Sequence, residues 1–295
     1  MKPSVECGTC IMHWAYSRVA PHAAVETLPD MTRRLIDGLR RHLSPDANLG
    51  SLNNTAVWSV LCTPSPVASY YEELKHESNR NAATLLSLAR TYIEAAESDR
   101  EKFERACSLA AASNVAPINS PSGAYTFQEI KAIIEGIEET PVIVGDVYDA
   151  VQNAKKILYV TDNAGEIGFD SLVIELITRM GPDVTLVVKE DTFFEDATPI
   201  DARFFGLDKV VHNIVTPKGF FVPREVSEDL YGVFTESDLI MVKGMGSYET
   251  LSGETQGKPA IFMLKVKCDV IARETGVTKG KVVVRLDNPL HVQSS

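Results

Sequence analysis

The feature that most constrains the fold is a strand, a glycine-bearing turn and a helix between residues 156 and 180. The run Ile157–Val160 is apolar, which is typical of a buried strand in a parallel sheet. It is followed by Asp162 and Asn163, by two glycines, and by an amphipathic helical pattern over Phe169–Met180. This order forms the first half of a βαβ unit, and ligands of such units bind beyond the carboxyl ends of the strands.

Asp162 and Asn163 stand at the position where such a ligand would bind. Two adjacent oxygen-bearing side chains there suit a hard cation. Aspartate and asparagine are also common in ordinary turns. The pair alone therefore leaves both interpretations open, and the rest of the chain has to decide between them.

The remainder of the chain predicts an α/β protein. Residues 9–149 show helical patterns, whereas β-rich runs alternate with helical patterns from residue 155 onward, which predicts a mostly parallel sheet with helices on both faces. We predict a helical domain at residues 1–150 and a three-layer α/β/α, Rossmann-like domain that binds metal and phosphate at residues 151–295. The segment after Leu286 is predicted to be loosely ordered. The predicted strands are 157–161, 184–188, 210–215, 239–242 and 260–266.

The overall composition excludes several classes of partner. A formal net charge of -11 disfavours binding to a phosphate backbone, so no nucleic acid is expected. No apolar run approaches the roughly 20 residues that span a bilayer, and the amino terminus lacks the apolar core of a signal peptide, so no membrane is expected. Five cysteines, an odd number, do not suggest a disulfide framework, which predicts a cytoplasmic location.

Polar residues follow the carboxyl ends of several predicted strands, which share one edge of a parallel sheet. Asp191, Glu195 and Asp196 lie in the loop after the second strand, and Lys243 with two nearby glycines follows the fourth. Carboxylate and amide oxygens suit magnesium or manganese, and a lysine beside glycines can approach a phosphoryl oxygen. Glu166 would repel a phosphate unless a cation intervenes or it binds a ligand hydroxyl. The set as a whole favours a phosphorylated ligand.

Four motifs in this order closely resemble the damage-control phosphatase family, formerly a domain of unknown function numbered 89. The Cys7–Cys10 and Lys75–Asn79 segments are similar to its cysteine-containing microbial branch. The resemblance implies a helical part beside an α/β/α part. It also implies a phosphatase that uses a divalent ion (manganese, magnesium, nickel or cobalt) on small phosphorylated metabolites, such as sugar phosphates or damaged cofactor intermediates. The motifs are residues 162–170, 195–198, 243–249 and 267–270.

The resemblance also assigns roles to individual residues. Asp162, Asn163 and Asp196 match the family's metal ligands. Lys243 matches a lysine expected to contact the phosphate, and Asp162 and Lys243 are the predicted catalytic residues. The sequence departs from the family at Glu195, where members commonly have asparagine, which leaves the substrate open. The predicted substrate-binding residues are Glu166, Lys243, Glu249, Lys75 and Asn114.

Rival functions have weaker support. A methyltransferase that uses S-adenosylmethionine and methylates protein carboxyl groups would also place acidic residues after the second strand, but the first turn lacks a dense glycine run. A nicotinamide-dependent dehydrogenase lacks Gly-x-Gly-x-x-Gly after the first strand. The third alternative is an inactive metabolite-binding module, against which the intact carboxylates argue.

The cysteines form a second, weaker signal. Cys7 and Cys10, with two residues between them, resemble half of a zinc site, and Cys268 would join them if the amino terminus folds back. Buried structural thiols are the alternative interpretation. Cys62 and Cys107 have apolar neighbours in the sequence and are predicted to lie in the core.

Overall fold

The computed structural model describes residues 1–288. Within this range seven strands form one sheet in the order β1-β7-β6-β5-β2-β3-β4. Neighbouring strands are parallel except for β6 and β7, which are antiparallel. The strands are β1 (Val142–Val144), β2 (Lys156–Val160), β3 (Asp183–Val187), β4 (Asn213–Val215), β5 (Leu239–Lys243), β6 (Ala260–Lys265) and β7 (Val282–Asp287).

Six α-helices precede the first strand in the described part of the chain. They are α1 (Cys7–Val19), α2 (Leu28–His42), α3 (Leu49–Leu61), α4 (Val67–Glu94), α5 (Asp99–Ala112) and α6 (Gln128–Ile134). The other helices alternate with the strands. They are α7 (Val147–Gln152), α8 (Glu166–Met180), α9 (Pro199–Phe204), α10 (Glu228–Glu236), α11 (Met245–Leu251) and α12 (Asp269–Thr275).

Local sequence signals explain where several helices begin and end. The Asn48 side chain accepts hydrogen bonds from the first turn of α3, and Ser98 does the same for α5. Helix α8 ends at Gly181, whose φ of 113° lies in the region that favours glycine. None of the helices within residues 1–288 is long and apolar enough to cross a membrane.

The sheet separates two apolar cores, because successive side chains of a strand point to opposite faces. On β2, Ile157 and Tyr159 pack in a core with residues of α4, α5 and α8. Leu158 and Val160 pack in a second core with residues of α10, α11 and α12. This arrangement confirms the predicted helix–sheet–helix layers. A third core joins α1–α4 to the aromatic side chains of the loop after β3.

The strand order places a topological switch between β2 and β5. From β2 the chain continues to β3 and β4 on one side, whereas β5 lies on the other side and continues to β6. The loops that leave the carboxyl ends of β2 and β5 therefore diverge and open a crevice, which is where ligands bind in open α/β sheets.

Two strands differ from the sequence-based expectation. The helical interpretation of residues 9–149 missed β1, and β7 was not predicted; the two pair with each other in parallel. Strand β7 extends through Asp287, so the predicted loose tail begins too early, and its residues 289–295 lie outside the described range. Helices α4 and α5 pack directly on the sheet. The division of the chain at residue 150 remains a prediction.

Candidate active site

The loops after β2 and β5 meet at the switch point. Gly244, directly after β5, has a φ of 83°, and a Cβ atom there would overlap the Asp162 carboxylate. Only glycine combines this backbone conformation with so close an approach. The glycine after Lys243 thus allows the backbone of one loop to lie against the carboxylate of the other.

The loops after β2 and β3 are joined through their backbones. Asn163 and Asp196 form an isolated antiparallel bridge. The Ala197 N–H donates to the Asp162 carbonyl at 2.8 Å, and the Ala164 N–H donates to the Glu195 carbonyl at 2.9 Å. The structure therefore brings together Asp162, Asn163 and Asp196, the three residues predicted to bind a metal.

Side-chain amides fix the orientation of the Asp162 carboxylate. Asn114 Nδ2 lies 2.7 Å from Asp162 Oδ2, and Asn163 Nδ2 lies 3.0 Å from the same oxygen. Both amides also donate to Glu166, Asn163 at 2.8 Å. Asn114 is itself held by the backbone N–H of Lys265 at the end of β6. The network leaves the Asn163 amide oxygen as the atom of that side chain that can bind a cation.

Lys243 lies behind the site rather than in it. Its side chain is 0% exposed, with Nζ 2.9 Å from Glu166 and 3.9 Å from Asp170. Although burial opposes the charge, Glu166 and then Asp170 and Asp162 raise the pKa of Lys243. The lysine thus neutralises Glu166 in the protein interior.

Lys75 and Asn79 on α4 hold the loops around the site. Lys75 Nζ is 3.0 Å from Asp201 and 3.1 Å from the Thr198 hydroxyl. Asn79 donates to Asp201 at 2.7 Å and accepts from the Gly165 N–H at 2.6 Å. The ammonium of Lys75 is buried against Asp201, and its contact with substrate remains a prediction.

A buried ion pair connects α1 to the loop after β3. Arg18 Nη2 is 2.6 Å from Glu195 Oε1, Arg18 Nε is 3.3 Å from Glu195 Oε2, and neither side chain is more than 4% exposed. The guanidinium also donates to the carbonyls of Pro117 and Ile118 and lies over the Trp14 ring. Four of its five N–H donors are therefore used within the protein, and Arg18 links α1 to the loop after β3 at a position that also lines the cavity described below.

A cavity of about 230 Å³ opens in front of Asp162, Asn163 and Asp196. Lys267, two residues after β6, lines it, and so does the predicted substrate-binding residue Glu249. Sequence reasoning included Lys267 in a motif without giving it a role, although it is a lysine at the carboxyl end of a strand. The cavity is also lined by Cys7, Cys10, Ile11, Trp14, Met245, Cys268 and Val270, among others.

Burial and mutual repulsion disfavour the ionised form of the carboxylates. Burial, followed by the charges of Glu166 and Asp196, raises the pKa of Asp162 well above its ordinary value. Burial also raises the pKa of Asp196 to about 6, against the attraction of Lys189. It lowers the pKa of Lys267, against the attraction of Glu166 and Asp162. Acids in such surroundings are stabilised in their charged form by a bound cation.

The donor set fits a hard divalent cation. Asp162, Asn163 and Asp196 offer only oxygen atoms, the ligands that magnesium and manganese prefer. Asp196 Oδ2 is buried 3.0 Å from Lys189 Nζ yet accepts no hydrogen bond within residues 1–288. The set has two carboxylates and an amide; in the described part of the chain, no three His, Cys, Asp or Glu side chains come together as a metal-binding group.

The cysteines divide between the cavity and the rest of the molecule. Cys7, Cys10 and Cys268 line the cavity. Cys107 is buried, as predicted, but Cys62 is exposed, which corrects its assignment to the core. Cys62 follows the last residue of α3 and therefore leaves the apolar face that its neighbours form.

Comparison with known proteins identifies the family. Residues 5–283 match the family described as the damage-control phosphatase ARMT1-like domain. The chain belongs to this family. The resemblance found in the sequence is thereby confirmed, and the rival methyltransferase gains no support from the comparison.

Two relatives that match over almost their whole length are named damage-control phosphatases. A damage-control phosphatase of Archaeoglobus fulgidus is 27% identical over 97% of this chain and 99% of its own length. One from Pyrococcus horikoshii is 29% identical over 96% and 97%. An uncharacterized protein of Methanocaldococcus jannaschii is 32% identical over 72% of each chain. The crystal structure of a DUF89 family protein from Pyrococcus horikoshii superimposes with a TM-score of 0.77 at 25% identity, covering 96% of this chain and 98% of that one.

Proposed function

We propose that this protein is a divalent-metal-dependent phosphatase of small phosphorylated metabolites, in which Asp162, Asn163 and Asp196 bind the metal. One observation carries the proposal: the three oxygen-bearing side chains meet at the switch point of the sheet, beside a cavity that Lys267 also lines. Metal and phosphate groups require this combination of anionic ligands and a nearby cation. The printed names of two relatives, which match over almost their whole length, support the same reaction.

The three proposed metal ligands come from two loops: Asp162 and Asn163 from the loop after β2, and Asp196 from the loop after β3. A bound manganese, magnesium, nickel or cobalt ion would polarise the phosphoryl group and neutralise its charge. Asn114 and Asn163 hold the Asp162 carboxylate in one orientation through the hydrogen bonds to its Oδ2. Asp162 thus enters the reaction without the entropy loss of ordering a free side chain.

The two lysines of the site take different roles in this proposal. Lys267 lines the cavity and would place its ammonium beside the phosphoryl oxygens. Lys243 keeps Glu166 in place from behind. A direct contact of Lys243 with the phosphate, as the family resemblance implies, would require Glu166 to release its Nζ atom.

The size of the cavity supports a small metabolite as the substrate. A volume of about 230 Å³ accommodates a phosphate group with a sugar or a fragment of a cofactor, but not a folded protein segment. Glu249 lines the cavity on α11, and burial raises its pKa to about 7. We assign Glu249 to a hydrogen bond with a hydroxyl or N–H of the leaving group. A cytoplasmic location remains a prediction from the cysteine content.

The test is phosphate release from a panel of sugar phosphates and an aryl phosphate. Metal-stripped protein is assayed alone and after manganese, magnesium, cobalt or nickel is restored in turn. Asp196→Ala is compared with Asp191→Ala, which removes the same charge from an exposed position in the same loop. We expect ion-dependent release that the Asp196 variant loses and the Asp191 variant keeps.

Two results would overturn the proposal. The first is release that proceeds equally well without any added ion, since it would remove the metal from the reaction. The second is no release with any ion together with binding of S-adenosylmethionine, which would promote the methyltransferase.

A further inference from the structure

Three of the five cysteines line the candidate active-site cavity, and the proposed phosphatase reaction uses none of them. Cys7 and Cys10 lie on α1, three residues apart and hence on the same face of the helix. Cys268 lies directly before α12, beside Lys267. Two segments that are far apart in the sequence therefore present thiols to one cavity, Cys7 from a buried position and Cys10 from an exposed one.

The two segments that carry these thiols lie against each other. Glu6, the residue before Cys7, forms an ion pair of 3.0 Å with Arg273 of α12. Val270, two residues after Cys268, packs against the core cluster that contains Cys7. The amino-terminal end of α1 thus faces the loop that leads from β6 to α12.

The surroundings of the thiols keep them protonated in the reduced protein. Burial is the largest cause that raises the pKa of Cys7, Cys10 and Cys268, and the negative charge of Glu249 raises all three further. A Cys268 thiolate would also raise the pKa of both other thiols, which reflects its proximity to each.

We propose that Cys268 forms a reversible disulfide with Cys7 or Cys10, and that this bond closes the active-site cavity. The oxidant is a low-molecular-weight disulfide. One protein thiolate attacks it, forms a mixed disulfide and releases one small thiol; the second protein thiol then displaces the other small thiol as the protein disulfide forms. The protein loses two electrons and two protons, and two molecules of small thiol carry them away.

The position of the bond explains its effect on the site, a consequence that rests on the proposed function. The disulfide would connect α1 to the loop after β6, and both segments line the cavity proposed to hold the substrate. It would also fix the backbone next to Lys267, the cation that lines the cavity. Oxidation is therefore expected to abolish turnover, and reduction with dithiothreitol is expected to restore it.

The bond itself is tested without any enzyme assay. The full-length, metal-free protein is incubated with oxidised glutathione, its free thiols are titrated, and tryptic peptides are separated under non-reducing conditions. We expect the number of free thiols to fall from five to three. We also expect a disulfide between the peptide of residues 1–18, which holds both Cys7 and Cys10, and the peptide of residues 268–273.

Two variants provide the controls. Cys268→Ser removes the shared partner and should prevent the linked peptide, whereas Cys62→Ser removes an exposed thiol elsewhere and should leave it unchanged. Glu249→Gln removes the charge that raises the pKa of all three thiols and should accelerate formation of the bond. The phosphatase assay is then repeated on oxidised and reduced protein.

The possible outcomes separate this inference from the proposed function. A disulfide confined to peptide 1–18, glutathione adducts without a linked peptide, or one zinc ion that protects all three thiols would each overturn the inference. A linked peptide with unchanged turnover would overturn the closing effect. If the protein has no phosphatase activity under reducing conditions, the proposed function fails while the linked peptide is still measured.

Discussion

The buried ion pair between Arg18 and Glu195 connects α1 to the loop after β3, and removing one partner tests how much this connection stabilises the protein. Arg18→Met removes the positive charge but retains much of the apolar volume. It leaves the Glu195 carboxylate, 4% exposed, without its counter-charge, and the carbonyls of Pro117 and Ile118 without their donor. Removing one partner of a buried ion pair lowers the free energy of unfolding by about 3–5 kcal/mol, mainly because the other charge remains buried without a counter-charge.

The double variant reveals how much of this loss belongs to the pair. Arg18→Met combined with Glu195→Gln removes both charges of this pair, so we expect it to be more stable than Arg18→Met alone by about 2 kcal/mol. Urea denaturation of the four proteins near pH 7.5 gives the free energies of unfolding for this cycle. Arg100→Met is the control, because the Arg100 pair with Asp146 is exposed and should contribute little. The reasoning would be refuted if the effects of Arg18→Met and Glu195→Gln on the free energy of unfolding were additive, or if Arg18→Met lowered it no more than Arg100→Met does.

Three further predictions concern the site itself. Gly244→Ala should lower the free energy of unfolding by about 1–3 kcal/mol and abolish turnover, because the new Cβ needs a strained backbone and displaces the Asp162 carboxylate. Denaturation measures the first effect and phosphate release the second. A variant with unchanged stability and turnover would contradict the close contact. Lys267→Met should lower kcat by about 10²-fold and still bind manganese. Lys265→Met is the control: it removes a lysine at the end of β6 beside Glu129 and should leave kcat unchanged. Burial raises the pKa of Asp170 from its ordinary value of 3.8 to about 7. Between these two pH values the folded chain keeps a proton on Asp170 that the unfolded chain has released, so stability falls as the pH rises from 3.8 to about 7. Asp170→Asn should then exceed the wild type in stability by up to about 4 kcal/mol near pH 8 and match it near pH 4, and equal stability at both pH values would argue against the raised pKa.

The strands that could be predicted from the sequence are those that consist of a continuous apolar run. Strands β2, β3, β5 and β6 are short apolar runs buried on both faces, and they lie within two residues of their predicted bounds. Strand β1 has three residues, and its Val142 and Val144 are 56% and 41% exposed, so no buried run marks it. Its existence depends on pairing with β7, a strand more than 130 residues later.

The site shows the same limit of sequence reasoning. Asp162 and Asn163 were predicted because their loop follows a parallel strand, and the carboxyl ends of such strands share an edge. The same argument placed Asp191, Glu195 and Asp196 at that edge, and only the family resemblance singled out Asp196. The position of Lys243 could not be predicted, because its neutralisation by Glu166 depends on how α8 packs against the end of β5. Lys265 and Lys267 have the same residue type and lie two positions apart, and only the exact end of β6 decides which of them lines the cavity.

Manganese binding measured together with turnover tests the central claim most directly. Metal-stripped wild type and Asp196→Ala are titrated with manganese while free ion is followed by electron paramagnetic resonance, and phosphate release is recorded on the same samples. The account predicts that the wild type binds manganese at this site and that turnover rises in proportion to the bound ion. It also predicts that Asp196→Ala loses both. Turnover by the metal-free wild type, or full turnover by Asp196→Ala without bound manganese, would contradict the account.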